Sequence, residues 1–182
     1  MNKVLKLVGY HGPQLWTREL AQRIGTDVVG VLKSLDEGSY LVLDCEDVEV
    51  FDYSFANELF GRTALRLPRE FPGRFVIVDH LTEYTRENLQ QALDSLSLMM
   101  IERGDGGELR LLGKVHPVDQ ATFAAIVNSK SPALAAELKE VLNVSVTAMN
   151  ERLSKLADVG VIRRQKSVSP AGREQYAYSV PR

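Results

Sequence analysis

The stretch from Ser131 to Ser179 constrains this chain most, because its local signals allow one order of elements. Ser131 and Pro132 read as a helix start: a serine oxygen accepts from an orphan N–H, and proline at the first helical position sacrifices no hydrogen bond. Leu134, Leu138, Val141 and Leu142 then recur at helical spacing. Asn143 suits the left-handed conformation that ends a helix. Val144 plugs the turn, and Ser145 caps a second helix whose buried stripe is Met149, Leu153, Leu156 and Ala157. Gly160 suits the end of that helix. Val161 to Lys166 and Gln175 to Val180 alternate apolar with polar residues, as half-buried strands do, about a tip at Ser167 to Arg173 that holds Pro170 and Gly172. The predicted order is helix, tight turn, helix, hairpin.

Charge divides the chain at the same place. Residues 114 to 182 hold 10 basic and 6 acidic side chains, and residues 1 to 113 hold 12 and 18, within a net charge of −2. Halves of opposite sign are expected to meet different partners. Off the apolar stripe, the second helix presents Thr147, Asn150, Glu151, Ser154 and Lys155. These are either a solvated face or a reading face: asparagine pairs bidentately with adenine, and threonine touches a thymine methyl. Arg163, Arg164, Lys166 and Arg173 lie within one short span of the hairpin and have the chemistry of phosphate contacts.

The run from Leu153 to Arg164, LSKLADVGVIRR, resembles the end of the recognition helix and the start of the wing in winged helix-turn-helix regulators. The resemblance covers roughly Val115 to Val180, with Pro117 to Val127 as the first helix. It implies a duplex DNA partner, with Thr147, Asn150 and Ser154 reading bases and Lys155, Arg163, Arg164, Lys166 and Arg173 on phosphates, in a homodimer reading two half-sites. Lys139 stands where such motifs often carry alanine; its stem is expected to snorkel outward.

The acidic half alternates strands with helices. Lys3 to Tyr10 reads as a strand, and Thr17 caps a helix with core positions Leu20, Ile24, Val28, Val31 or Leu32, and Leu35. Tyr40 to Asp44 and Arg74 to Asp79 are strands too continuously apolar to be half exposed. Helices are expected over Phe55 to Leu67, stopping at Pro68, and over Tyr84 to Leu96. Leu98 to Glu102 and Leu109 to Leu112 flank a turn at Gly104 to Gly107. This pattern predicts an α/β fold with parallel strands covered by helices.

Within it, Leu41 to Gly61 (LVLDCEDVEVFDYSFANELFG), preceded by Thr17 to Ala21, resembles the STAS-like domain, and the likeness runs over about Val4 to Leu112. STAS domains are switch modules of sheet and helix, best known in antagonists of anti-sigma factors. In those antagonists a serine at the start of the helix after this strand is phosphorylated, and Ser54 matches that place. Phe55 stands where the family has glycine. On the residues alone, Ser54 is also read as the N-cap of the following helix.

Other chemistry is sparse. The single Cys45 excludes an intrachain disulfide, and with no basic-then-apolar leader at Met1 a reducing, cytoplasmic setting is expected. The longest apolar runs are too short for a bilayer. There is no phosphate loop, and His11, His80 and His116 lack metal-ligand spacing. The dense carboxylates Asp44, Glu46, Asp47, Glu49 and Asp52 are either a ligand-binding strand end or a solvated acidic loop. Trp16 is expected to anchor the core.

The sequence therefore predicts a STAS-like regulatory domain over residues 1–113 and a small winged helix-turn-helix domain over residues 114–182. Together they would make a transcription regulator with no catalytic site, cofactor, metal or membrane, whose first domain senses a ligand, a partner protein or phosphorylation. The alternative is a protein-interaction switch of the anti-sigma-antagonist type.

Overall fold

The computed structural model describes residues 1–129 and 132–182 of the chain. The fold is α/β. Five strands form one sheet in the order β1 (Lys3–Lys6), β3 (Tyr40–Asp44), β5 (Phe75–Asp79), β6 (Met99–Arg103), β7 (Leu109–Gly113). The first four run parallel and β7 returns antiparallel after the turn at Gly104 to Gly107. Each parallel connection steps one strand in the same direction. Right-handed crossovers therefore place α2 (Arg18–Ser34), the helical segment 53–70 and α5 (Glu83–Ser95) on one face.

Strand alternation decides what each face carries. Leu41, Leu43, Val76, Val78, Met100 and Leu112 pack with those helices in one core. Their neighbours Val42, Phe75, Ile77, Met99, Ile101 and Leu111 point the other way, into a second core. The C-terminal part supplies the opposite wall of that core with Phe123, Ile126, Leu138, Met149, Leu153, Leu156 and Tyr178. The two apolar sides of β3 and β5 thus have two different owners, and the second core crosses the boundary between residues 113 and 114.

Several local expectations hold. Thr17 caps α2, its Oγ1 accepting from the Leu20 N–H at 3.2 Å. That helix runs unbroken, and its buried stripe is Ala21, Ile24, Val28 and Leu32, with Ala21 in the place expected of Leu20, which is half-buried. Others are corrected. The first strand ends at Lys6, and Val8–His11 forms a helical turn, α1, closed by the Gly12 N–H on the Val8 carbonyl. A short parallel pair, β2 (Gln14–Leu15) with β4 (Val50–Phe51), lies beside the sheet. Trp16, expected to anchor the core, is instead 41% exposed.

The helix expected from Phe55 to Leu67 is three pieces: α3 (Tyr53–Ala56), a π-helical turn (Asn57–Gly61) and α4 (Arg62–Glu70). It runs past Pro68, which sits in the last turn where one lost hydrogen bond is tolerable. A two-pronged Arg66–Glu70 pair at 2.7 and 2.6 Å ties that turn. Among the described residues no helix is long and apolar enough to cross a membrane.

After β7, α6 (Pro117–Asn128) leads to β8 (Ala133–Leu134), α7 (Ala135–Leu142), α8 (Val146–Asp158) and the hairpin β9 (Arg163–Val168) and β10 (Glu174–Ser179). Ser131 lies outside the described residues. The helix expected from Pro132 begins at Ala135 instead, because Ala133 and Leu134 pair with Tyr178 and Ala177 as a third strand on the hairpin. Val141, expected on the apolar stripe, is 71% exposed.

Candidate nucleic-acid interface

The turn between α7 and α8 is built from two residues. Asn143 takes a left-handed conformation with φ 50°, and the Val144 N–H returns to the Lys139 carbonyl at 3.0 Å. Ser145 then caps α8 by accepting from the Ala148 N–H at 3.1 Å. Met149, Leu153 and Leu156 are fully buried, which fixes the rotation of α8 about its axis. The opposite side therefore faces outward, and Thr147, Asn150, Glu151, Ser154, Lys155 and Asp158 line one shallow open surface. All three residues expected to read bases lie on it. Lys139, half-buried, turns its ammonium to Glu140.

The expected phosphate-binding residues separate into two groups. Lys155 donates from Nζ to Asp119 Oδ2 at 2.5 Å, and Asp119 is only 1% exposed. That carboxylate also accepts the His116 backbone N–H at 3.2 Å. Lys155 thus balances a buried charge and ties α8 to α6 before it meets any ligand.

Strand parity separates the hairpin cations. Along β9 the side chains alternate, with Arg164, Lys166 and Val168 exposed and Arg163, Gln165 and Ser167 half-buried. Arg163 turns toward the sheet domain and pairs with Glu37 at 2.9 Å. Arg164 turns outward, with its guanidinium 5.0 Å from the centroid of the Tyr176 ring. That ring lies diagonally across the hairpin and stiffens the cation without neutralising it. Lys166 and Arg173 are exposed, and neither forms an ion pair among the described residues. The tip that carries Arg173 is closed by Ser169 N–H to Arg173 carbonyl and Gly172 N–H to Ser169 carbonyl bonds, both 2.9 Å.

One cation beside these was not foreseen. Arg69, exposed at the end of α4, lines a groove of about 590 Å³ with Pro72, Asp158, Arg164 and Lys166. Arg74 is also there but is held by the Leu35 carbonyl at 2.8 Å. Only the tertiary fold brings Arg69 to the hairpin; the hint in the sequence was a run of arginines inside an otherwise acidic half.

No protein-family model and no curated protein matches the chain. Among solved structures it is similar to one described as "Possible transcriptional regulator from Methanosarcina mazei Go1", at 16% identity and a TM-score of 0.33. The match covers 36% of this chain and 56% of that one, so the chain spans about half the length of the protein it matches.

Elsewhere the site expectations change. Ser54 is not the helix cap. Asp52 takes that role, its Oδ1 accepting from the Phe55 N–H at 2.7 Å, so the helix starts earlier and Ser54 lies half-buried in its first turn. Part of the acidic cluster is already engaged, together with Asp79 at the end of β5. Asp44 meets His80 Nδ1 at 2.8 Å, Lys6 bridges Asp44 and Glu46, and Asp79 holds Arg103 at 2.7 Å. The hydrogen bond to Asp44 raises the His80 pKa above the ordinary histidine value. Among the described residues no group of three or more histidine, cysteine or acidic side chains is placed to hold a metal. Cys45 is buried, and burial pushes its thiol well above the usual range, away from thiolate chemistry.

Proposed function

We propose that the protein is a DNA-binding transcription regulator, cytoplasmic and dimeric on its operator. Residues 114–182 act as a winged helix-turn-helix, and residues 1–113 as a STAS-like regulatory domain without enzymatic activity. The observation that carries the reading is a division of labour. On the polar face of α8 the side chains of Thr147, Asn150 and Ser154 have no hydrogen-bond partner among the described residues, and the exposed cations Arg164, Lys166 and Arg173 stand on the adjoining hairpin. A helix that enters a major groove needs such a face, and a hairpin beside it needs unneutralised charge to hold phosphates. Arg69 extends the same charge from the sheet domain. Lys155 serves by positioning α8, and Arg163 by holding the hairpin to Glu37.

A selection from a random duplex library tests the reading. The full chain should enrich an inverted repeat containing adenine, and Asn150→Ala should relax preference at that base by about 1–3 kcal/mol. Glu151 and Asp158 lie on the same face and suit a cationic protein partner instead. If the chain retains no duplex even at low salt, the protein-switch reading takes its place.

A further inference from the structure

On the far side of the first core, a cleft of about 320 Å³ opens between α2 and the π-turn with α4. That volume lies at the small end of the range for small-molecule sites. Its floor is the Glu58 side chain, 5% exposed, on the π-turn. Such turns insert an extra residue into a helix, change which side chains face inward, and are frequent at functional sites. Here the turn presses Gly61 against the end of α5, where a Cβ would lie 2.6 Å from Leu96 Cδ1.

Glu58 is half satisfied. Arg62 Nε at 2.8 Å and Gln22 Nε2 at 3.1 Å both approach Oε1. Oε2 has no hydrogen-bond partner among the described residues, yet it is not sealed from the cleft. Arg62 uses only its Nε for this pair and is 65% exposed at the mouth, so its terminal nitrogens remain available. Val28, Leu32 and Phe71 supply an apolar wall. Gly25 lies across from Glu58 in the middle of α2, where glycine is less favourable than alanine. A Cβ there would meet nothing within 4 Å, so packing does not require the glycine. What it preserves is the width of the cleft.

We infer that this cleft binds a small zwitterion with an apolar side group, of the α-amino-acid class. The ammonium donates to Glu58 Oε2, the carboxylate takes the free edge of Arg62, and the side group lies on Val28, Leu32 and Phe71. The site stands independently of DNA binding and fills the sensing role that the regulator reading leaves open.

Amide NMR titrations of the full chain with L-leucine and L-phenylalanine test it without any DNA. At least one should give saturable shifts concentrated in α2 and residues 57–63. Isopentylamine, which is leucine without the carboxylate, and 4-methylpentanoate, which is leucine without the ammonium, should each bind at least about tenfold more weakly, one lost charge-assisted contact apiece. Glu58→Gln should lose a similar factor. Gly25→Leu should abolish the shifts while its circular dichroism and melting point match or exceed those of the parent. Should that larger side chain disturb the helix, Gly25→Ala keeps the fold and should weaken binding. Absence of saturable shifts with both amino acids, or undiminished binding by Gly25→Leu, overturns the proposal.

Discussion

Strand parity on β9 leads to a prediction that composition alone would not make. Four hairpin cations look equivalent in sequence, but Arg163 faces Glu37 while Arg164 and Lys166 face outward. If Arg164 and Lys166 each neutralise one phosphate, each contributes about 0.9 to the slope of log affinity against log salt. Arg164→Ala/Lys166→Ala should therefore flatten the slope by about 1.8. Between about 50 and about 200 mM salt, the affinity ratio of parent to variant should shrink roughly twelvefold. Arg163→Ala should leave the slope unchanged and should instead cost stability, within the about 0–1 kcal/mol of a partly exposed ion pair. Fluorescence anisotropy on a labelled random-sequence duplex across a salt series measures both variants. If Arg163→Ala flattens the slope as much as either outward cation does, the parity argument is wrong and Arg163 leaves Glu37 for the nucleic acid.

Three further outcomes follow from packing and charge. Ile77→Ala, on the side of β5 that meets the C-terminal core, should cost about 2–5 kcal/mol and lower the midpoint of a single urea transition for the whole chain; a second, unmoved transition would show that the two halves unfold separately. Lys155→Met leaves the buried Asp119 carboxylate without its cation and should destabilise by about 1–3 kcal/mol, the Lys155 side chain being 45% exposed, while Asp119→Asn/Lys155→Met recovers most of the loss in the same assay. His80 has a raised folded pKa because of Asp44, so its stabilisation is complete below the unfolded value near about 6.5 and fades as pH rises through the folded value; His80→Gln should remove that component from a plot of urea midpoint against pH, and an unchanged plot would dismiss the ion pair as a source of stability.

What was legible in the sequence was whatever a few neighbouring residues decide. Asn143 and Ser145 announce the turn of the helix pair, and Met149, Leu153 and Leu156 announce which side of α8 is buried, because a few helical turns contain the whole signal. The unbroken apolar character of Tyr40 to Asp44 correctly required cover on both faces of the sheet. Which segment covers the second face was not legible, since no local pattern couples Ile77 to Leu138 or Met149. Cap assignment failed where two capping residues compete two positions apart, and Asp52 prevailed over Ser54. The direction of Arg163 depended on where β9 starts, and a shift of one residue reverses every side chain. The π-turn left no composition signal, so the cleft above Glu58 was invisible until α2 was set beside it.

The two-sided sheet has an evolutionary consequence. In many two-part proteins one part is a cassette that can be cut from its neighbour and spliced to another. Here the C-terminal part closes over Val42, Phe75 and Ile77, so excising it would leave a bare apolar surface on both fragments. Inheritance of the two halves is therefore linked: a substitution on the far side of β5 must suit α8 and the neighbouring helices, and one on its near side must suit α2 and α5. Diversification in such a lineage is expected to run through the exposed residues of α8, the hairpin tip and the cleft, with the partnership itself held constant.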